Sequence, residues 1–207
     1  MKKPKIDSKY SNLIEVSNIT GSRYENLVYL DAGTKSLIST NGRLLLAERG
    51  AYTETEVIAR LLGAENRALK FNGENLEKNE EYYGDIPDFA SIIPPIAEID
   101  SGTTKRIRLE LPSWLNAISK RLKVYPELHF ILGEDAPTIA FKSGPEDNSI
   151  VLNGRFLVPF AGQIVDLYFI ADKAFVLILP EGQKLDSSPW FSLLMEIRPE
   201  KIAPTYF

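Results

Sequence analysis

The chain of 207 residues holds one histidine and no cysteine. Those counts remove disulfide frameworks, thiol nucleophiles, Cys-based zinc sites and His-clustered metal sites together, so any metal chemistry would rest on carboxylates. The histidine, His129, sits in Glu127-Leu-His-Phe-Ile-Leu132. In that strand pattern Leu128 and Phe130 project from the face opposite His129, which gives it a structural reading. Carboxylates pair at Glu80-Glu81 and at Asp85 with Asp88, but Gly84 and Pro87 mark their segment as a loop. Acidic loops are solvated more often than they do acid–base work. No phosphate-cradling G-x-x-x-x-G-K or G-x-G-x-x-G run is present. The expectation is a chain that is not an enzyme and needs no cofactor. A carboxylate-based hydrolase or transferase is the third reading.

Charge is the next carrier of chemistry. With 24 basic and 28 acidic side chains the net charge is −4, which excludes a polycation that coats nucleic acid wholesale. The distribution is uneven. Glu74 to Asp100 carries eight acids and one lysine, a net −7, and Ser101 to Lys123 carries six basic residues against Glu110, a net +5. Lys105, Arg106 and Arg108 fit the exposed face of a strand, and Lys120, Arg121 and Lys123 fit either a helix C-terminus or a phosphate-facing helix. The same stripe could instead pair with the acidic segment of a neighbouring copy.

The elements that must position these groups are mostly strands. Four hairpins are expected: Leu27–Asp31 with Ser36–Thr40, Ala68–Asn72 with Asn75–Lys78, Glu127–Leu132 with Thr138–Lys142, and Leu167–Ala171 with Ala174–Leu179. Gly, Asn, Asp and Pro at their junctions favour antiparallel connection. Two amphipathic helices are expected. Glu54–Leu62 follows Thr53 as N-cap and stops at Gly63. Leu111–Lys123 has Pro112 in its first turn and Trp114, Leu115, Ile118 and Leu122 on one face. Ser188-Pro189-Trp190-Phe191 suits the start of a third, short helix. At a constant offset of 60, Ile58 falls on Ile118, Arg60 on Lys120, Leu62 on Leu122, Phe71 on Ile131, Gly73 on Gly133 and Glu74 on Glu134. A duplicated unit of helix, strand, Gly-Glu turn and strand is the expected origin of this register, with chance similarity between apolar-rich segments as the alternative. Composition, at 44% apolar and 25% charged, is that of a globular protein. With no secretory h-region and no run of apolar residues long enough to span a bilayer, the expected setting is cytoplasmic, without membrane attachment.

Three segments, in order, resemble the DNA sliding clamps of the bacterial type. Leu37-Ile-Ser-Thr-Asn-Gly-Arg-Leu-Leu-Leu-Ala47 is similar to the family's A-T-D-G-H-R-L-A strand and turn. Gly84-Asp-Ile-Pro-Asp-Phe-Ala-Ser-Ile-Ile-Pro94 is similar to its G-x-[FY]-P-D-Y-x-x-[VI]-[IL]-P segment at a domain junction. Asn153-Gly-Arg-Phe-Leu157 with Phe175-Val-Leu-Ile-Leu-Pro180 resembles its F-N-x-x-Y-L helix start and its closing strand ending in M-P. The chain departs from the family at Asn41, where Asp is usual, at the missing His of that turn, at Pro159 in the third helix, and in having no clear helix before Leu27. The segment Gly182–Phe207 extends past the usual end.

The resemblance implies an α+β fold, mainly antiparallel β with a few helices, as DNA-clamp-like tandem domains: 1–92, 93–180 and a C-terminal extension 181–207. It implies a noncatalytic processivity factor that tethers a polymerase or other DNA enzyme to double-stranded DNA by nonspecific phosphate contacts, with replication proteins as partners. It also implies a homo-oligomer; if a ring needs six domains, two per chain make a trimer. The DNA-facing residues would be Lys120, Arg121 and Lys123 with Arg60 on the repeated helix, then Arg67 and Lys70. The competing reading is a noncatalytic β-rich oligomeric interaction or structural protein of phage type.

Overall fold

The computed structural model describes residues 11–17, 24, 27–31, 34–49, 67–71, 76–79, 85–113, 127–132, 137–140 and 149–195. The Glu54–Leu62 helix, Trp114–Lys123 and the Gly-Glu turns at 73 and 133 lie outside them. The chain divides into two compact units, Met1–Ile96 with Gln183–Ser192, and Ala97–Gly182 with Leu193–Phe207.

The first unit is an antiparallel sheet in the order β5-β4-β1-β2-β3. Its strands are β1 (Leu27–Asp31), β2 (Ser36–Thr40), β3 (Leu44–Glu48), β4 (Arg67–Phe71) and β5 (Leu76–Lys78). Every residue of β1 and β2 is buried, so the near-continuous runs LVYLD and SLIST reflect cover on both faces rather than one wet side. Part of that cover is α1 (Ser11–Ser17), a helix ahead of Leu27 where none was expected. Its Leu13, Ile14 and Val16 are buried at 0%, 5% and 1% exposure while Glu15 is exposed, the 3.6-residue stripe in miniature. Seven residues are too short a window for periodicity to declare a helix. Another part is Phe89, whose ring packs on Tyr29 with centroids 5.3 Å apart and planes at 56°. Phe89 begins η1 (Phe89–Ile92), a 3-10 turn preceding the short α2 (Ile96–Ile99).

The β1–β2 hairpin has the expected boundaries, with Tyr29 opposite Ile38. Buried Asp31 accepts the main-chain N–H of Thr34 at 2.8 Å and also the Thr34 hydroxyl, and Lys35 turns the chain at φ 51°. The next turn, Thr40-Asn-Gly-Arg43, joins β2 to β3. Asn41 Oδ1 accepts the N–H groups of Arg43 and Leu44, both at 2.9 Å, Thr40 Oγ1 donates to Leu44 O at 2.9 Å, and Gly42 supplies φ 85°. Asparagine therefore makes the turn bonds an aspartate would make.

The second unit contains the order β11-β10-β6 and a separate sheet β8-β7-β9. The strands are β6 (Lys105–Glu110), β7 (Glu127–Leu132), β8 (Pro137–Ala140), β9 (Ser149–Asn153), β10 (Ile164–Phe169) and β11 (Phe175–Pro180). The β10–β11 hairpin forms as expected, with Val165 opposite Pro180 and Asp172 at φ 62° in its turn. His129 lies mid-strand in β7, opposite Ala140 on β8 and Val151 on β9.

The strand pairs β4–β5 and β7–β8 fall near the offset of 60 but do not keep it throughout. Strands β4 and β7 begin 60 apart, at Arg67 and Glu127. Their hairpins close at Phe71–Leu76 and Leu132–Pro137, which are 61 apart. One residue of slip in a strand changes which face a position occupies. The third partner also differs: β1 precedes β4, whereas β9 follows β7.

Three expected helix starts turn out differently, and the body of the first, Trp114–Lys123, lies outside the described residues. Leu111 does not open a helix: its N–H donates to Gln163 O at 2.9 Å and its carbonyl accepts from Gly162 at 2.7 Å, extending the strand edge. Asn153-Gly-Arg-Phe-Leu leads into a 3-10 helix, η2 (Gly154–Phe160), which contains Pro159. The tighter 3-10 turn suits a segment whose proline lacks an N–H to donate. Ser188-Pro189-Trp190-Phe191 instead enters a strand, β12 (Trp190–Met195). Ser188 Oγ donates to Trp190 O, and Ser192 Oγ donates to Leu45 O on β3 at 2.6 Å. Trp190–Ser192 belong to the first unit and Leu193–Met195 to the second.

Candidate nucleic-acid interface

Of the residues expected to face DNA, Lys120, Arg121, Lys123 and Arg60 lie outside the described residues. Arg67 and Lys70 are on β4, opposite Leu30 and Leu27 of β1; Lys70 is half-buried and also lies across from Glu77 of β5. Residues 67 and 70 differ in parity, so the strand does not set them in one row.

The described part of the basic stripe is β6. Burial alternates along it, with Arg106, Arg108 and Glu110 exposed and Lys105, Ile107 and Leu109 half-buried. Lys105 therefore shares the apolar face instead of standing beside the arginines. Arg106 and Arg108 are 44% and 51% exposed, and both reach Asp166 of β10, whose side chain is fully buried. Arg106 Nη2 donates to Asp166 Oδ2 at 2.6 Å, Arg108 Nε donates to Oδ1 at 3.2 Å, and the main-chain N–H of Gly182 donates to Oδ2 at 2.7 Å. Burial alone would raise the Asp166 pKa. The hydrogen bonds from Arg106, Gly182 and Arg108 outweigh it and hold the carboxyl below the usual range. Arg108 Nη1 also pairs with Glu181 at 2.9 Å, and the Arg106 guanidinium lies 5.5 Å from the Tyr168 ring centroid. The register explains the convergence: Arg108 is directly opposite Asp166, and Arg106 opposite Tyr168.

A second polar cluster is built on Arg49, just after β3. Its guanidinium donates to the carbonyls of Leu185, Thr34 (3.4 Å) and Ser188 (3.5 Å) and lies 5.0 Å from the Phe191 ring centroid, and the Arg49 main-chain N–H donates to Pro189 O at 2.8 Å. Burial lowers its pKa and Asp186 opposes that shift. An arginine spent on main-chain carbonyls is a fastening for the 185–191 segment, and sequence offered no signal for it because that segment begins 136 residues further on.

The paired carboxylates expected to form a solvated loop are described only in part. Asp85 and Asp88 are exposed ahead of η1, and Glu80-Glu81 lie outside the described residues. In the second unit a cleft of about 450 Å³ is lined by Glu98, Ser101, Thr103, Asp172 and Lys173 among others. Ser101 Oγ and Thr104 Oγ1 each donate to Glu98 O at 2.7 Å, and Lys173 Nζ pairs with Glu98 Oε2 at 2.9 Å. These hydroxyls cap a turn and do not face a base that would activate them. Among the described residues no three His, Asp or Glu side chains converge on a point suited to a metal, and no helix is long and apolar enough to cross a membrane.

No family model and no curated protein sequence matches the chain. Among solved structures it is similar to bacterial DNA polymerase sliding clamps. Against the DNA polymerase III beta subunit of Thermotoga maritima the identity is 13% and the TM-score 0.46, over 90% of this chain and 62% of that one. Against the sliding clamp of Caulobacter crescentus they are 15% and 0.49, over 92% and 62%. For the DNA polymerase III subunit beta of Pseudomonas aeruginosa they are 16% and 0.45, over 92% and 64%. The chain thus spans less than two thirds of the length of these clamps.

Proposed function

We propose that the chain acts as a noncatalytic, sliding-clamp-like processivity factor, holding a polymerase or another DNA enzyme on double-stranded DNA through sequence-independent phosphate contacts. The observation that carries the reading is the fate of the segment Leu37–Ala47, which resembles the clamp strand and turn. It folds as the β2–β3 hairpin, with Asn41 accepting the N–H groups of Arg43 and Leu44, bonds that an aspartate carboxylate could also accept. Two departures from the clamp pattern are thereby reduced: Asn41 supplies an acceptor oxygen to the turn as an aspartate would, and α1 supplies a helix before Leu27. The domains proposed are the two clamp-like copies, with DNA facing Lys120, Arg121, Lys123 and Arg60, and a closed homo-oligomer, a trimer if six domains complete the ring. The acidic total suits this role, because it repels DNA everywhere except on a locally basic lining.

The test is retention on nicked circular DNA compared with the same DNA linearised. A topological clamp stays on the circle and is lost from free ends. Equal retention on both forms would overturn the proposal.

A further inference from the structure

The loop of residues 183–189, between β11 and β12, is attached to the first unit unevenly. Leu185 and Ser188 are buried, at 6% and 1% exposure, and the other five residues are exposed. The N–H groups of Ser187 and Ser188 both donate to Lys184 O, at 3.2 and 2.8 Å, so the loop carries its own turn. Ser188 Oγ donates to Trp190 O, just past the loop's end. Among the described residues, every other hydrogen bond of the loop ends on Arg49. Its guanidinium takes the carbonyls of Leu185 and Ser188, and its main-chain N–H takes that of Pro189.

That attachment is graded. Among the described residues Arg49 forms an ion pair with no carboxylate; exposed Asp186, on the loop, acts on it only through space, while burial of the charge lowers its pKa. Its side-chain acceptors are neutral carbonyls, and the bonds to Thr34 O and Ser188 O, at 3.4 and 3.5 Å, are long for N–H···O. The two ends of the loop are held without it. On one side Gly182, at φ 69°, donates its N–H to buried Asp166, and a side chain added there would meet nothing within 4 Å. On the other, Phe191 and Ser192 are fully buried in β12, and Ser192 Oγ donates to Leu45 O at 2.6 Å. Segments with few buried contacts between fixed ends are those that open locally.

We infer that residues 183–189 are a lid that opens while β12 stays in place beside β3, with Arg49 as its single latch. Opening turns a half-buried guanidinium, spent on carbonyls beside the Phe191 ring, into an exposed fork of donors able to take an anion. The lid is independent of the clamp reading, because none of its bonds involves the DNA-facing residues.

Thiol labelling of the full chain tests this. The chain has no cysteine, so an introduced one is a unique probe. Ser188→Cys places it under the lid. Ser39→Cys places it in β2 of the same unit, at 0% exposure and with no hydrogen bond to lose. Rates of reaction with DTNB, each divided by the rate for the urea-unfolded chain, report opening. Ser188→Cys should react roughly tenfold or more faster than Ser39→Cys, and low urea should barely change its rate, because so short a lid exposes little surface. Ser39→Cys should follow unfolding of the unit and speed up with urea. Leu185→Cys, which leaves the Ser188 hydroxyl intact, should rank with Ser188→Cys. Adding Arg49→Gln should raise the Ser188→Cys rate roughly tenfold or more and move the Ser39→Cys rate far less. Arg49→Lys, which keeps the charge and loses the fork, should fall between. Equal rates under the lid and in β2 would overturn the inference. So would an Arg49→Gln variant that accelerates both positions alike, which is a general loss of stability, or neither.

Discussion

Glu48 ends β3, and burial pushes its carboxyl up to about 7. A folded-state pKa above the unfolded value of 4.5 means that the folded chain binds the proton more tightly. Stability should therefore rise as pH falls from about 7 towards 4.5, and the cost of ionised Glu48 is fully present above about 7. The full shift corresponds to about 3 kcal/mol as an upper bound. Urea denaturation at pH 8 and pH 5 should show the wild type gaining stability at the lower pH by up to that amount relative to Glu48→Gln, which has nothing to titrate there. An identical pH response in both proteins would show that Glu48 ionises freely. Asp166 is the opposite case. Its lowered pKa gives stability that is present above the ordinary carboxylate range and disappears as pH falls through the folded value. The sequence showed the two arginines of β6 but not their carboxylate, because Asp166 lies 58 and 60 residues further on and only strand pairing brings it opposite.

At the scale of elements, hairpins were the most legible features. Their turn residues and strand runs are neighbours in sequence, so β1–β2 has the expected bounds and β4–β5, β7–β8 and β10–β11 differ by a few residues at their ends. The two main helices expected, Glu54–Leu62 and, from Trp114 on, Leu111–Lys123, lie outside the described residues, and the expectations that can be compared differ for identifiable reasons. Leu111 is captured by the main chain of Gln163 and Gly162, Ser188–Phe191 is drawn into a strand beside Leu45, and α1 is short enough that packing, not propensity, makes it. If α1 is held chiefly by burial, Leu13→Ala should cost about 3 kcal/mol, read as a lower urea midpoint with little change in m-value. A midpoint that does not move would mean that the helix contributes nothing to the first unit's core.

For the whole molecule, a net charge of −4 conceals a chain in which a −7 segment is followed by a +5 segment. The described half of the positive segment, β6, is balanced by Asp166 and Glu181, so the proposed phosphate contact falls to Lys120, Arg121 and Lys123. Replacing those three by Ala should lower the slope of log affinity against log salt by roughly two to three units, at about 0.9 per phosphate on duplex DNA. An unchanged slope would remove them from the DNA-facing surface.

What the sequence determined by itself is what depends on residue identity and short separations. The missing cysteines and lone histidine restrict covalent and metal chemistry, turn residues set the hairpins, and the offset of 60 places β4 and β7. Tertiary structure decided what depends on distant groups meeting. It returns residues 183–192 to the first unit, fastens them with Arg49, sets the β7–β8 hairpin one residue off the offset of 60 from β4–β5, and puts Asp166 beneath Arg106 and Arg108. Hydrophobic periodicity and turn chemistry act over a few residues, whereas the pairing of a buried charge is fixed only when its strand finds its neighbour.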